Sequence, residues 1–293
     1  MAAELQASLN RLAGTTGLDA QGAANVWAGT TGLDLLGALN VKAGTVGVGL
    51  NRVCNLLAGT TGLDAQGALS LATSFGPVTS VGWTAAYWAG GPEFAALGLA
   101  DGAAVSSWPD EKATNNLAQA TGTKQPAYRA TGGANSKPAL QFDGNDLISL
   151  NAAPTVTHPF TVVVIAKLGA TSAGQKELLV GDSSNGALYQ ASTGWRMYNG
   201  TVLAGGASDT NWHLFVAYFN GASSVLEIDG ASNASGNAET NNMAGVYVCG
   251  GGTTGTWDGY VAFAATHDSD ARADGGWAGF ETWVGTEYGI TVA

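Results

Sequence analysis

The sequence predicts a mainly β fold, a C-terminal β-sandwich preceded by an N-terminal array of short helical repeats. Three observations predict it. A heptamer, AGTTGLD, returns in steps of fifteen residues near the start of the chain. Downstream, apolar runs of strand length alternate with Gly, Asn and Asp turn signals. Charged residues make up only 11% of the 293, against 44 glycines, a balance closer to a β-rich or fibrous surface protein than to a cytosolic enzyme.

The repeat comes first. AGTTGLD begins at Ala13, Ala28 and Ala58, and a relaxed copy, AGTVGVG, begins at Ala43. Asn10, Asn25, Asn40 and Asn55 keep the same register until Ser70 breaks it. Such self-similarity signals an array of structural units. Each unit reads as one short helix: Asp19, Asp34 and Asp64 stand where an N-cap oxygen satisfies the free N–H groups of a first turn, and Gly29, Gly44 and Gly59 stand at the stop. Leu50, Val53, Cys54 and Leu57 fall on one helical stripe between them. Helices of about nine residues are unstable alone in water, so the array of residues 1–75 requires a partner surface. The docking candidates are Leu18 with Asp19, Leu33 with Asp34, Leu63 with Asp64, and Asn25, Asn40 and Asn55. That partner is either neighbouring copies in a homo-oligomer, taken as a trimer, or the wall of a larger particle. The alternative is a low-complexity tether, although a tether has no use for leucines in strict register.

Residues 76–94 are rich in Gly and Pro and read as a linker, leaving 95–293 as the second domain. Strands are expected within Pro159–Gly169, His213–Gly221, Ser224–Gly230 and Gly259–His267. Trp277, Phe280, Val284 and Tyr288 recur at helical spacing, so one helix follows the last strand.

Charge and composition exclude several classes. With 11 basic against 22 acidic residues, the net charge of -11 repels a phosphate backbone, so no nucleic-acid partner is expected. No apolar run reaches the length of a membrane span, and the opening MAAELQASLNRLAG shows no export signal. Only Cys54 and Cys249 occur, too few and too distant for a disulfide framework, and both are expected to be small buried hydrophobes.

Chemistry is sparse. His158, His213 and His267 are isolated, and no metal-ligand spacing surrounds them. Asp143, Asn145 and Asp146, or Asp268 and Asp270, offer oxygen ligands for calcium, but a plain Asx turn accounts for them more simply, so no metal and no cofactor are expected. Glu227-Ile228-Asp229 begins the E-x-D-x-x-E pattern of strand-borne hydrolase acids, yet Ser232 replaces the third acid. The chain is therefore expected not to be an enzyme. Sugar binding needs an aromatic face and amide or carboxylate partners for hydroxyls. Trp195, Tyr198 and Asn199 in one Gly-flanked segment, with Trp257 and Asp258 in another, are the carbohydrate-binding candidates and would line one rim; the competing reading packs the tryptophans in the core.

A resemblance sharpens this reading. The segment DGAAVSSWPDEKATNNLAQATGTKQPAYRATGGANSKPALQFDGNDLISL resembles the opening of LamG-like, concanavalin A-like jelly-roll domains. Trp108, Pro109 and Asp110 carry it, followed by Gln119–Thr121, Gln125–Tyr128 and Phe142–Gly144. Trp212 with His213, the turn Asp229-Gly230, and Glu281, Trp283 and Tyr288–Thr291 match as well, so the likeness covers about residues 95–293. The N-terminal repeats are similar to those of minor tail proteins from phages of actinobacteria. What these resemblances imply is a virion component assembled in the host cytoplasm, bound to other virion proteins of tail or capsid, and displaying a lectin-like domain to host-surface glycans. The alternatives are a purely structural decoration or a polysaccharide-degrading enzyme.

Overall fold

The computed structural model describes residues 81–293, apart from 112–114, 173, 183, 193 and 251–256. The docking candidates Leu18, Asp19, Asn25, Leu33, Asp34, Asn40, Asn55, Leu63 and Asp64 lie outside the described residues, as does Cys54. The chain divides into two compact units, Met1–Val81 with Gly275–Phe280, and Gly82–Asp274 with Glu281–Ala293. In the first, the rings of Trp277 and Phe280 tilt against each other, centroids 5.2 Å apart.

The second unit is a mainly β, two-sheet sandwich. Sheet 1 runs in the order β14 (Ala231–Gly236), β13 (Ser224–Ile228), β12 (Trp212–Phe219), β7 (Phe160–Leu168), β16 (Asp258–His267), β5 (Ala139–Asp143) and β4 (Ala127–Arg129), and β1 (Ala85–Trp88) also pairs with β16. Sheet 2 runs β11 (Val202–Ala207), β10 (Gly194–Tyr198), β9 (Ala187–Ala191), β8 (Lys176–Val180), β15 (Met243–Val248), β6 (Ile148–Val156), β3 (Leu117–Ala118) and β2 (Ser107–Trp108). The four runs expected to be strands are β7, β12, β13 and β16. Within the segment read as a linker lies β1, and a one-turn helix, α1 (Pro92–Ala95), straddles its end.

Strand chemistry explains the layers. β7, FTVVVIAKL, is rich in β-branched residues, which suit a pleated surface. Its alternate residues Phe160, Val162, Val164, Ala166 and Leu168 enter the core shared by both sheets, and Thr161, Val163 and Ile165 are buried on the opposite side. A strand covered on both faces reads as an unbroken apolar run. From sheet 2, Leu179, Leu188, Trp195, Met197 and Val248 meet the same core.

The expected closing helix is present as α2 (Trp277–Tyr288). Its later residues cover the outer side of sheet 1 near β1 and β16. Trp283 meets Trp88 edge-on at 5.1 Å between centroids and Phe263 at 6.0 Å, and Trp88 Nε1 donates to Tyr288 Oη over 2.8 Å. No helix among the described residues is long and apolar enough to cross a membrane. Beneath β1, Asp110 is fully buried and accepts hydrogen bonds from the Ala86 and Asn115 backbone N–H groups at 2.9 and 3.2 Å, so the Trp-x-Asp motif anchors the first strand.

Candidate functional site

Alternation along β9 and β10 decides which side chains leave the core. Trp195 and Met197 point inward, and Arg196 and Tyr198 point outward. The outward residues continue across the sheet in register. Tyr198 pairs with Val202 on β11 and Ala187 on β9, Arg196 pairs with Ala204 and Tyr189, Tyr189 pairs with Glu177 on β8, and Val180 pairs with Tyr247 on β15. Cross-strand neighbours of this kind touch directly. Val180, Ala187 and Tyr189 therefore form a second, smaller apolar cluster, with Ala191, Tyr198 and Tyr247 packed on it.

The result is an aromatic platform on the outer face of sheet 2. Tyr198 and Tyr247 are half-exposed and rise over the small side chains of Ala187 and Val180, while Tyr189 keeps only 6% of its surface and Val202 is 43% exposed. Polar groups rim it. Tyr247 Oη donates to Asp182 Oδ1 at 2.9 Å, Gln175 Nε2 donates to Glu177 Oε1 at 3.2 Å, and Arg196 Nε donates to the Ala191 carbonyl at 3.2 Å. Burial raises the Tyr189 phenol above its ordinary pKa, and the nearby Arg196 pulls the other way. Burial likewise raises Tyr247, as do the hydrogen bond to Asp182 and that carboxylate's charge. Both phenols stay neutral at physiological pH, and Tyr247 Oη, whose proton goes to Asp182, can accept a bond from a ligand hydroxyl.

Asn199, fully buried, positions Tyr198. Its Oδ1 accepts from Gly186 N at 3.0 Å and its Nδ2 donates to the Asn241 carbonyl at 2.8 Å; Asn241 Nδ2 returns a bond to the Asn199 carbonyl at 2.7 Å. The end of β10 is thereby tied to the loop before β15.

The expected rim of Trp195, Tyr198, Asn199, Trp257 and Asp258 is distributed differently. Trp195 and Trp257 come together, but inside the core, at 2% and 0% exposure, which leaves neither indole a face for a sugar. Asn199 acts behind the surface, and Tyr198 alone of the five reaches the tyrosine platform. Asp258 stands half-exposed at the start of β16 in sheet 1, opposite Asp143 in register.

The acids of the Glu227–Asp229 pair and of the Asp143–Asp146 turn are engaged elsewhere. Glu227 forms an ion pair with Arg272, which also holds Asp270 at 2.8 Å and lies over the Tyr218 ring. Asp229, at a turn with φ 53°, accepts from Leu214 N at 2.8 Å and holds His213 Nδ1 at 2.6 Å, so the two acids of the Glu-x-Asp pair serve different partners. Asp143 and Asp146 accept the backbone N–H groups of Asn145 and Asp143, which is turn chemistry. Among the described residues no group of three His, Cys, Asp or Glu side chains is placed to hold a metal ion. Cys249 is buried and unbridged.

No family model matches the chain, and no curated protein matches it. Among solved structures it is similar to a sialidase of Trypanosoma rangeli in complex with sialic acid, at 15% identity over 69% of this chain and 33% of that one, with a TM-score of 0.45. It is also similar to domain 4 of AbnA, a GH43 extracellular arabinanase from Geobacillus stearothermophilus, in complex with arabinotriose, at 13% identity over 65% of this chain and 94% of that one, with a TM-score of 0.46. A third is a structure concerned with the cell entry of botulinum neurotoxin type C and its two ganglioside molecules, at 8% identity over 61% of this chain and 51% of that one, with a TM-score of 0.39. The chain spans about a third of the length of the sialidase it matches. The sialidase and the arabinanase are enzymes, and this finding overturns the expectation that the chain is not one.

Proposed function

We propose that this chain is a display protein of a bacteriophage particle: residues 1–75 dock many copies on the tail or capsid, as a homo-oligomer taken as a trimer, and the sandwich holds host-surface glycans on the outer face of sheet 2. One observation supports the glycan reading above the rest. Tyr198 and Tyr247 lie half-exposed on a single sheet face around the buried Tyr189, over small side chains and beside Arg196 and Asp182. Aromatic rings take the C–H faces of sugars, and the rim groups exchange hydrogen bonds with hydroxyls. A shallow platform binds weakly, and display in many copies converts weak contacts into firm attachment. The virion reading rests on the fifteen-residue repeats and on their resemblance to those of phage tail proteins.

The test is a polysaccharide array probed with the chain in multivalent form. Wild-type protein is expected to be retained on at least one host envelope polysaccharide, and Tyr198→Ala or Tyr247→Ala to lose about tenfold in apparent affinity per copy, as for one aromatic contact. No retention on any polysaccharide, or retention untouched by both variants, rejects the platform and favours a purely structural decoration. Labelled antibody against the sandwich, imaged on intact particles, tests the virion assignment separately.

A further inference from the structure

We infer that a second saccharide site lies on the outer face of sheet 1 and takes a glycan carrying a single hexuronate. Four strands place one row of side chains there. Trp212 on β12 pairs with Lys167 on β7, Lys167 pairs with Tyr260 on β16, and Tyr260 pairs with Gln141 on β5. All four are half-exposed. The row marks the point where the covering of this face gives out, because Thr161, Val163 and Ile165, which precede Lys167 on the same side of β7, are buried.

The geometry suits a sugar. The two rings stand on alternate strands, about 10 Å apart at the backbone, yet their centroids are only 6.2 Å apart with planes inclined at 48°. They lean toward each other over Lys167 and form one apolar patch with a cation beside it. Lys167 makes no ion pair with any described residue at salt-bridge distance, whereas Lys137 is held by Glu287 at 2.9 Å and Arg272 by Asp270 and Glu227. Arg129 on β4 extends the row: its Nε donates to Gln141 Oε1 at 2.7 Å, and its contact with Asp101 is loose, 3.7 Å between exposed groups. That bond occupies the Gln141 oxygen and leaves the amide nitrogen to donate.

Charge selects the ligand. Lys167 and Arg129 attract anionic groups, and either cation can pair with a carboxylate. The next pair of residues on the same face is Asp258 and Asp143, in register with each other, which accept sugar hydroxyls and repel a second acid. A net charge of -11 repels a dense polyanion at longer range. One carboxylate in an otherwise neutral chain satisfies all three conditions. This site shares no residue with the tyrosine platform, so each stands or falls alone.

The experiment titrates the full chain with aldotetrauronic acid and with the shorter aldobiouronic acid, each of which carries one hexuronate, and repeats both titrations with the methyl esters. Nuclear magnetic resonance of the tryptophan indole N–H groups supplies the readout. The Trp212 signal is expected to shift with at least one acid, the ester to bind about tenfold more weakly, and Lys167→Met to weaken the acid by a similar factor, the weight of one charge-assisted contact. Tyr198→Ala, which disables only the other face, leaves this titration unchanged. Lys167→Met is chosen because the half-exposed site keeps its aliphatic stem, and an unchanged melting temperature confirms that it folds. An unmoved Trp212 signal with both acids, or equal affinity for acid and ester, overturns the proposal.

Discussion

Trp195 and Trp257 stack on one another inside the sandwich, ring centroids 6.3 Å apart and planes 29° from parallel. Trp195 also meets Phe215 edge-on at 4.7 Å, so β10, β12 and the approach to β16 share one aromatic knot between the sheets. Trp257→Ala removes the largest partner in it. A loss of about 3–5 kcal/mol is expected in urea unfolding, and a loss below about 1 kcal/mol is inconsistent with this packing.

His213 lies between Asp229, at 2.6 Å from Nδ1, and Asp209, at 2.9 Å from Nε2. Burial lowers its pKa, but the hydrogen bonds to the two carboxylates outweigh that and hold it above the ordinary value. A raised folded-state pKa means that the stabilisation is complete below the unfolded value of about 6.5 and disappears as pH rises through the folded value. The stability difference between wild type and His213→Gln is therefore expected to be about 1 kcal/mol at the acid end and to shrink above neutrality. Thermal melts of both proteins across that window supply the measurement, and a constant difference contradicts the assignment.

Glu111 behaves in the opposite sense. Burial, with Glu93 and Asp110 nearby, pushes its carboxyl up to about 8, and its Oε1 is buried without a hydrogen-bond partner. Its charged form costs stability, a cost absent below the ordinary carboxylate range, growing up to about pH 8 and complete above it. Glu111→Gln is expected to raise stability by about 2 kcal/mol in alkaline buffer and to be near neutral in acid. Guanidinium titrations at the two pH extremes check both signs.

The ion pair of Glu227 with Arg272 predicts an asymmetry. Glu227→Gln removes one half-exposed contact and is expected to cost about 1 kcal/mol. Arg272→Met leaves Glu227 and Asp270 facing each other without their cation and is expected to cost about 2–3 kcal/mol. A double-mutant cycle isolates the coupling, and additive losses refute it.

Much of the sandwich was legible because its central strands carry their own signal. β7, β12 and β16 are long runs of β-branched and aromatic residues closed by Gly, Asn or His, and local chemistry suffices to mark them. β1 was not legible. AAYW sits among glycines and a proline, and it is a strand because β16 pairs with it across the fold. The site shows the same division. Tyr198 was found through its neighbourhood to Trp195, but residues three apart on a strand point to opposite faces, so that tryptophan belongs to the core. The same alternation read along ALYQA and GVYV brings out Tyr189 and Tyr247; which outward face they share depends on strand order, and that is set by pairings distant in sequence.

The pairing of β1 with β16 joins Ala85 to Thr266 and Trp88 to Phe263. During synthesis the first strand must leave the ribosome and wait, on the order of ten seconds, before its partner is made. Until then Tyr87 and Trp88, both buried in the finished fold, are open to the solvent. Early aromatic residues that depend on a late strand make this unit slow to mature and prone to stick to other nascent chains. Its yield in a crowded cell thus depends on how many copies are made at once.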